Sequence, residues 1–141
     1  MINIVWTIVR KNNKFLLVRR SLFDTYGGLW VFPGGHVDPK DQTIVDAAAR
    51  ELKEEAGVIG QQFNLLCKIN VKEYLVHFFY CTYWYGKPKP TCKDIINTNW
   101  FTLAEIHSFP KNLSPLIDQN LMYLSYLIQH YDCHPDEWDG V

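Results

Sequence analysis

Short apolar runs open the chain. Ile2 to Val9 is β-branched and aromatic-rich and predicts a strand, Asn12-Asn13 a turn, and Phe15 to Val18 the returning strand. Arg19 and Arg20 end that run, and Ser21 to Gly28 reads as a loop broken by Gly27-Gly28. Leu29 to Phe32 predicts a short apolar strand stopped by Pro33-Gly34-Gly35, and His36 to Gln42 is irregular and polar. The period then changes. Thr43 is a good N-cap, with Asp46 three residues on, where a capping acid can reach back. Strong helix formers follow from Ala47 to Glu55, and Gly57 is the expected stop. Phe63 to Val71 and Tyr74 to Tyr85 predict two long strands, Gly86 to Pro90 a loop, and Asn97 to Phe101 a further strand. Ser114, with Pro115 at the first helical position, opens a second long helix with Leu116 to Tyr131 as its body, and the tail CHPDEWDGV is expected to fray. Strands and helices mix without strict alternation, so the expected class is α/β, with a mixed sheet between helices.

Composition narrows the picture. A chain of 141 residues is expected to form one domain, and 48% hydrophobic residues supply a core without staples. A formal net charge of -1 excludes a globally basic nucleic-acid coat and an acidic disordered chain, so no duplex nucleic acid is expected as partner. No apolar run approaches the ~20 residues that span a bilayer, and the first residues lack a signal-peptide layout. Cys67, Cys81, Cys92 and Cys133 show no C-x-x-C spacing, which argues against a zinc ribbon or redox pair and suits a reduced, cytoplasmic compartment. Monomer and homodimer both remain open.

The chemistry concentrates between Gly34 and Val58, GGHVDPKDQTIVDAAARELKEEAGV. At about 100° per residue, with Glu51 set at zero, Glu54 falls near -60° and Glu55 near +40°. Leu52, Val45, Ala56 and Ala49 fall between about 100° and 160°. The helix is therefore expected to turn an apolar edge to the sheet and an acidic edge to solvent. Like charges on adjacent turns repel by a few tenths of a kcal/mol per pair. Hard divalent ions such as Mg²⁺ and Mn²⁺ take carboxylate oxygens and would offset that repulsion. Arg50 can orient a carboxylate or touch a phosphate, and Gly34-Gly35 allows close backbone approach. Alone, an acidic helix face is usually just solvated and a Pro-Gly-Gly just a turn. Their order and spacing carry the information.

That order resembles the Nudix box, the signature of Nudix hydrolases: Gly, five residues, Glu, seven residues, then Arg-Glu-apolar-x-Glu-Glu-x-Gly-apolar. Arg50 to Val58 matches the second half completely, and Phe32 to Gly35 gives the typical FPGG. The first half departs from the pattern. The early Glu position, eight residues before Arg50, is Gln42, and the run from Gly35 to Arg50 is one residue longer than usual. Asp41 is the candidate substitute, with the extra residue absorbed in the loop VDPKD.

The resemblance spans nearly the whole chain. It implies the Nudix fold, an α/β/α sandwich with a mixed β-sheet, and hydrolysis of a nucleoside diphosphate linked to another group, dependent on Mg²⁺ (or Mn²⁺). Glu51, Glu54 and Glu55 would hold the metal, assisted by the Gly34 carbonyl. Arg50 would support the catalytic set, and a glutamate or a distant acid would deprotonate the water. In the MutT-like branch that distant acid precedes a Trp by six residues, which here points from Trp100 to Asp94. By similar placement Arg20 is a phosphate contact, Phe32 and Gly35 line the substrate, and Asn112 reads the base. The first reading is therefore a MutT-like enzyme taking a normal or oxidised (d)NTP, a small nucleotide, to (d)NMP and pyrophosphate. A dinucleoside polyphosphate hydrolase is the alternative within the class, hinted at by Tyr74. A nucleotide-sensing module without turnover is the alternative of another class.

Overall fold

The computed structural model describes residues 1–23, 27–109 and 112–133. Its elements are β1 (Ile2–Lys11), β2 (Lys14–Arg20), β3 (Trp30–Val31), β4 (Gly34–His36), α1 (Ile44–Ala56), β5 (Ile59–Val71), β6 (Tyr74–Tyr85), β7 (Ile95–Thr102), α2 (Leu103–His107) and α3 (Pro115–Cys133). The strand order is β3-β2-β1-β6-β5, with β4 also on β1 and β7 also on β2. β1 runs parallel to β6 and the other pairings are antiparallel, so the sheet is mixed as expected. Asn12, in the left-handed region at φ 57°, makes the tight β1–β2 turn.

Alternation along the central strands sorts the core into two layers. Ile8, Phe15, Leu17, Val76, Phe78 and Tyr80 pack with Ile117, Leu121, Leu124 and Ile128 of α3. From the opposite face Val9, Leu16, Val18 and Cys81 meet Leu52 and Ala56 of α1, while Val5 and Phe79 meet Ala47 and Ala48. The result is a helix–sheet–helix sandwich. His77 points away from Val76 and Phe78 and bonds Asn3 Oδ1 at 3.0 Å through Nε2, which gives this buried imidazole a structural partner.

Several boundaries differ from the sequence reading. Gly34 to His36 is a strand, not a stop, because Val5 and Trp6 of β1 pair with Gly35 and Gly34. A Cβ on Gly34 would lie 1.9 Å from the Val5 carbonyl oxygen, so only glycine lets the two backbones approach. β3 is only two residues long, whereas β5 and β7 begin earlier than expected, at Ile59 and Ile95. α2 was not anticipated, although its capping box is written in the sequence: Thr102 Oγ1 accepts from Glu105 N, and Glu105 Oε1 accepts from Thr102 N. The tail beyond Cys133, expected to fray, lies outside the described residues.

α1 shows the most consequential difference. Thr43 caps it and Gly57, at φ 69°, ends it, as expected. Its buried face, however, is Ala47, Ala48, Leu52, Glu55 and Ala56, while Val45 is 41% exposed. The inward arc is rotated toward the acids, so Glu55 enters the protein rather than facing solvent.

Candidate active site

β4 and α1 are brought together by β1, and their junction assembles the acids. Gly34 N donates to Glu55 Oε1 at 2.9 Å, and Arg20 Nη1 lies 3.5 Å from Glu55 Oε2. Glu55 is 6% exposed, and burial pushes its carboxyl up to about 8. The Glu51 and Asp94 carboxylates push the same way, while the Gly34 N–H and Arg20 oppose them. Glu51 sits directly over Gly35, where a Cβ would meet its Oε1 at 2.8 Å. Burial also raises the Glu51 carboxyl, against the pull of Arg50.

Arg50 organises the outer edge. Its Nε and Nη2 grip both oxygens of Asp41 at 2.9 Å each, a bidentate fork. Nη1 donates to Glu51 Oε1 at 3.0 Å and to Glu54 Oε2 at 3.2 Å, and Nη2 also reaches the His36 carbonyl at 3.2 Å. Asp41 is itself set by a turn, in which Asp38 N donates to Asp41 Oδ2 at 2.8 Å and Asp41 N to Asp38 O at 2.9 Å. The Arg50 fork holds the Asp41 carboxyl below its ordinary range. Gln42 is exposed. The acid paired with the box arginine is therefore Asp41: the side chain is one methylene shorter than Glu, and the loop is one residue longer.

The segment before β7 closes the inner side. The Thr91 hydroxyl sits on the Lys53 and Glu54 carbonyls at the end of α1, and Lys89 N donates to Ala56 O at 3.0 Å. Asp94, fixed through its carbonyl to Ser21 N at 2.7 Å, stands exposed beside this cluster.

These groups form the polar part of one open cleft of about 1560 Å³. Arg20, Gly34, Gly35, Arg50, Glu51, Glu54, Glu55 and Asp94 all line it. The rest of the lining includes the apolar Ile4, Trp6, Val31, Tyr74, Val76 and Leu116, the polar Ser114 and Gln119, and the charged Lys53 and Lys72. Two expected substrate contacts are not part of this lining. Phe32 is 3% exposed and stands edge-on to Trp6 and Phe78, so it backs the wall instead of forming it. Asn112 is exposed, and its backbone carbonyl accepts from Trp30 N at 2.6 Å, a bond that joins the start of α3 to β3. Sequence reasoning did not find Gln119 or Thr91. Gln119 follows Leu116 at a spacing that shares a helix face, the one signal available for it; Thr91 carried none.

Among the described residues, no three His, Cys, Asp or Glu side chains converge tightly enough to hold a metal ion unaided. Glu51 and Glu54 are instead drawn to Arg50, and Glu55 to Gly34 and Arg20. Mg²⁺ seldom needs a full protein cage: one or two carboxylates, substrate phosphates and waters suffice. The hard oxygen donors here fit that kind of site, and the glycine under Glu51 leaves its carboxylate room to turn.

Fold and cleft together define an α/β/α sandwich whose first helix lends its acids to an acid-lined cleft. The chain belongs to the NUDIX family: the family model for the NUDIX domain matches residues 2–121. A CTP pyrophosphohydrolase of Escherichia coli is 41% identical over 58 residues, 41% of this chain and 42% of that protein. An 8-oxo-dGTP diphosphatase of Buchnera aphidicola is 36% identical over 81 residues, 52% of this chain and 64% of that protein. Both matches thus span less than two-thirds of the relative's length. The solution structure of the Escherichia coli ORF135 protein superposes with a TM-score of 0.73 at 26% identity, covering 90% of each chain. Enzymes of this family act on small nucleotides and generally use divalent metal ions. No described helix is long and apolar enough to cross a membrane.

Proposed function

We propose that this protein is a Nudix pyrophosphohydrolase that takes a normal or oxidised (d)NTP to (d)NMP and pyrophosphate with Mg²⁺ or Mn²⁺. The observation that carries the proposal is Glu55: a buried carboxyl anchored on Gly34 N–H, flanked by Arg20, Glu51 and Asp94, in a cleft that also has an apolar wall. Such a cleft suits a ligand with a polyanionic tail and a flat apolar head. The names of the two relatives above, both specifying nucleoside triphosphates, support the same choice.

Glu51, Glu54 and Glu55, with the Gly34 carbonyl, would hold the ion. When bound, it supplies polarisation of a phosphoryl oxygen and neutralises developing charge. The protein's own groups do the rest. Arg50, locked to Asp41, fixes where Glu51 and Glu54 stand. Arg20 would exchange its contact with Glu55 for a phosphate oxygen. A cleft carboxylate, one of the glutamates or Asp94, takes the proton from the attacking water. The aromatic and aliphatic lining receives the base and excludes bulk water around it.

A second reading, hydrolysis of dinucleoside polyphosphates, is favoured by Tyr74, which lines the cleft edge-on to His36 with ring centroids 6.2 Å apart. The test is a panel of the common NTPs and dNTPs, their 8-oxo forms, diadenosine polyphosphates and ADP-ribose, with either ion and products identified by mass spectrometry. Monophosphate and pyrophosphate from a triphosphate are expected. Faster cleavage of the dinucleotides would replace the substrate assignment. Tight binding with no turnover at any metal level would make the protein a nucleotide sensor.

A further inference from the structure

The cleft is assigned above to a nucleotide, but the groups that would choose the base are not. Asn112, the sequence candidate, is not among the cleft-lining residues, and its backbone carbonyl belongs to the α3–β3 junction. That junction does more than join two elements. Trp30 and Leu113 form an isolated parallel bridge, Trp30 N donates to Asn112 O at 2.6 Å, and Ser114 N donates to Trp30 O at 3.0 Å. The start of α3 is thereby fixed against β3, whose Val31 lines the cleft.

Leu113 just before α3, and Ile117, Leu121, Leu124 and Ile128 along it, are buried in the core. At about 100° per residue, Leu116 and Gln119 stand about 60° apart beside that stripe, and both line the cleft. Gln119 is exposed, and among the described residues nothing hydrogen-bonds its side chain. Ser114 is 7% exposed, lines the same wall, and its hydroxyl also has no hydrogen-bond partner among the described residues. Here, then, is an apolar wall of Trp6, Ile4, Tyr74, Val76 and Leu116, with an uncommitted carboxamide and a nearly buried, uncommitted hydroxyl beside it. Flat aromatic ligands stack on such walls, and a carboxamide offers one donor and one acceptor side by side. That pair matches the hydrogen-bonding edge of a nucleobase.

We propose that Gln119, assisted by Ser114, is the residue that reads the nucleobase. The proposal rests on the nucleotide assignment of the cleft, not on turnover. A carboxamide can rotate to serve either an amino or an oxo base edge. A carboxylate can only accept, so Gln119→Glu keeps half of the pair with the amino bases, adenine and cytosine. Guanine's Watson–Crick edge, with N1–H and N2–H side by side, instead donates to both carboxylate oxygens, whereas uracil offers one donor between two acceptors that repel the charge.

The test measures kcat and KM for ATP, CTP, GTP and UTP with Mg²⁺ in wild type, Gln119→Glu, Gln119→Ala and Asn112→Ala. Metal-free calorimetric titration of the four nucleoside monophosphates runs in parallel. Gln119→Glu is expected to shift preference toward GTP over ATP, CTP and UTP about 10-fold, through KM, with kcat within about twofold of wild type. Gln119→Ala should raise KM at least about fivefold for the best base and narrow the spread among bases, while Asn112→Ala keeps the wild-type spread. If triphosphates are hydrolysed but neither Gln119 variant changes the order or spread of bases, the proposal is overturned and the hydrolase assignment survives. If nothing is hydrolysed but monophosphate binding follows the same variant pattern, the hydrolase assignment falls and Gln119 stands. A spread that collapses in Asn112→Ala instead would return base reading to Asn112.

Discussion

Glu55→Gln should make the metal-free protein more stable at alkaline pH while it impairs turnover. Burial places the Glu55 carboxyl at about 8 in the fold, against an ordinary value of 4.5. A raised acid binds its proton more tightly folded than unfolded. Its stabilising contribution is therefore complete below pH 4.5 and is lost as pH rises through about 8. Between pH 5 and pH 8 the wild type should lose about 3 kcal/mol through this one group. Gln carries no charge and its amide oxygen can still accept the Gly34 N–H, so the variant should lack that slope. In a chain of this size the difference corresponds to about 10 °C in Tm at pH 8. The assay is thermal or urea unfolding of both proteins in chelator-treated buffer at pH 5, 6, 7 and 8, with the difference between them isolating Glu55 from other titrating groups. Adding Mg²⁺ at pH 8 should then raise the wild-type Tm more than that of the variant, because an ion that binds only the folded state stabilises it by mass action. Turnover should fall at least ~10²-fold in Glu55→Gln. Parallel pH profiles for the two proteins would refute the claim that this carboxyl is held in the fold against its own charge.

Other substitutions separate the parts of the site. Gly35→Ala places a methyl against the flexible end of Glu51, so turnover should fall ~10-fold or more with little change in urea midpoint, whereas Gly34→Ala meets the Val5 carbonyl and should cost about 3 kcal/mol in the same urea titration. Arg50→Lys and Asp41→Asn each break the bidentate fork and should lower kcat/KM ~10-fold or more. Gln42→Glu should stay within about twofold by steady-state kinetics, since Arg50 is already engaged by Asp41. Away from the cleft, the buried Tyr80 hydroxyl donates to Asp132 at 2.9 Å and accepts from Arg10 at 3.0 Å. Tyr80→Phe should cost about 1 kcal/mol by chemical denaturation and leave turnover unchanged, because the 2.7 Å Arg10–Asp132 pair remains.

The sequence by itself determined what is local. The period-2 runs of β1, β2 and β6, the Thr43 and Gly57 caps of α1, and the Pro115 start of α3 depend on neighbouring residues, and all were legible. So was the box that supplies Arg50, Glu51, Glu54 and Glu55, because chemistry on one helix is written at helical spacing. Even Asp41 could be nominated, because it stands beside Gln42, the position where the resembled box carries its early Glu. Tertiary structure alone decided what depends on partners far along the chain. Gly34 to His36 became a strand because β1 offered it hydrogen bonds, a fact no property of Pro-Gly-Gly contains. Glu55 turned inward, against the expectation of an exposed acid, because the face of α1 that packs on the sheet is set by the sheet. Phe32 and Asn112 stand outside the cleft lining for the same reason, Phe32 packed in the aromatic core and Asn112 lending its backbone carbonyl to the bridge with β3. Gln119 entered the cleft because that bridge fixes where α3 begins. Helical spacing says which residues share a face, and only packing says what that face looks at.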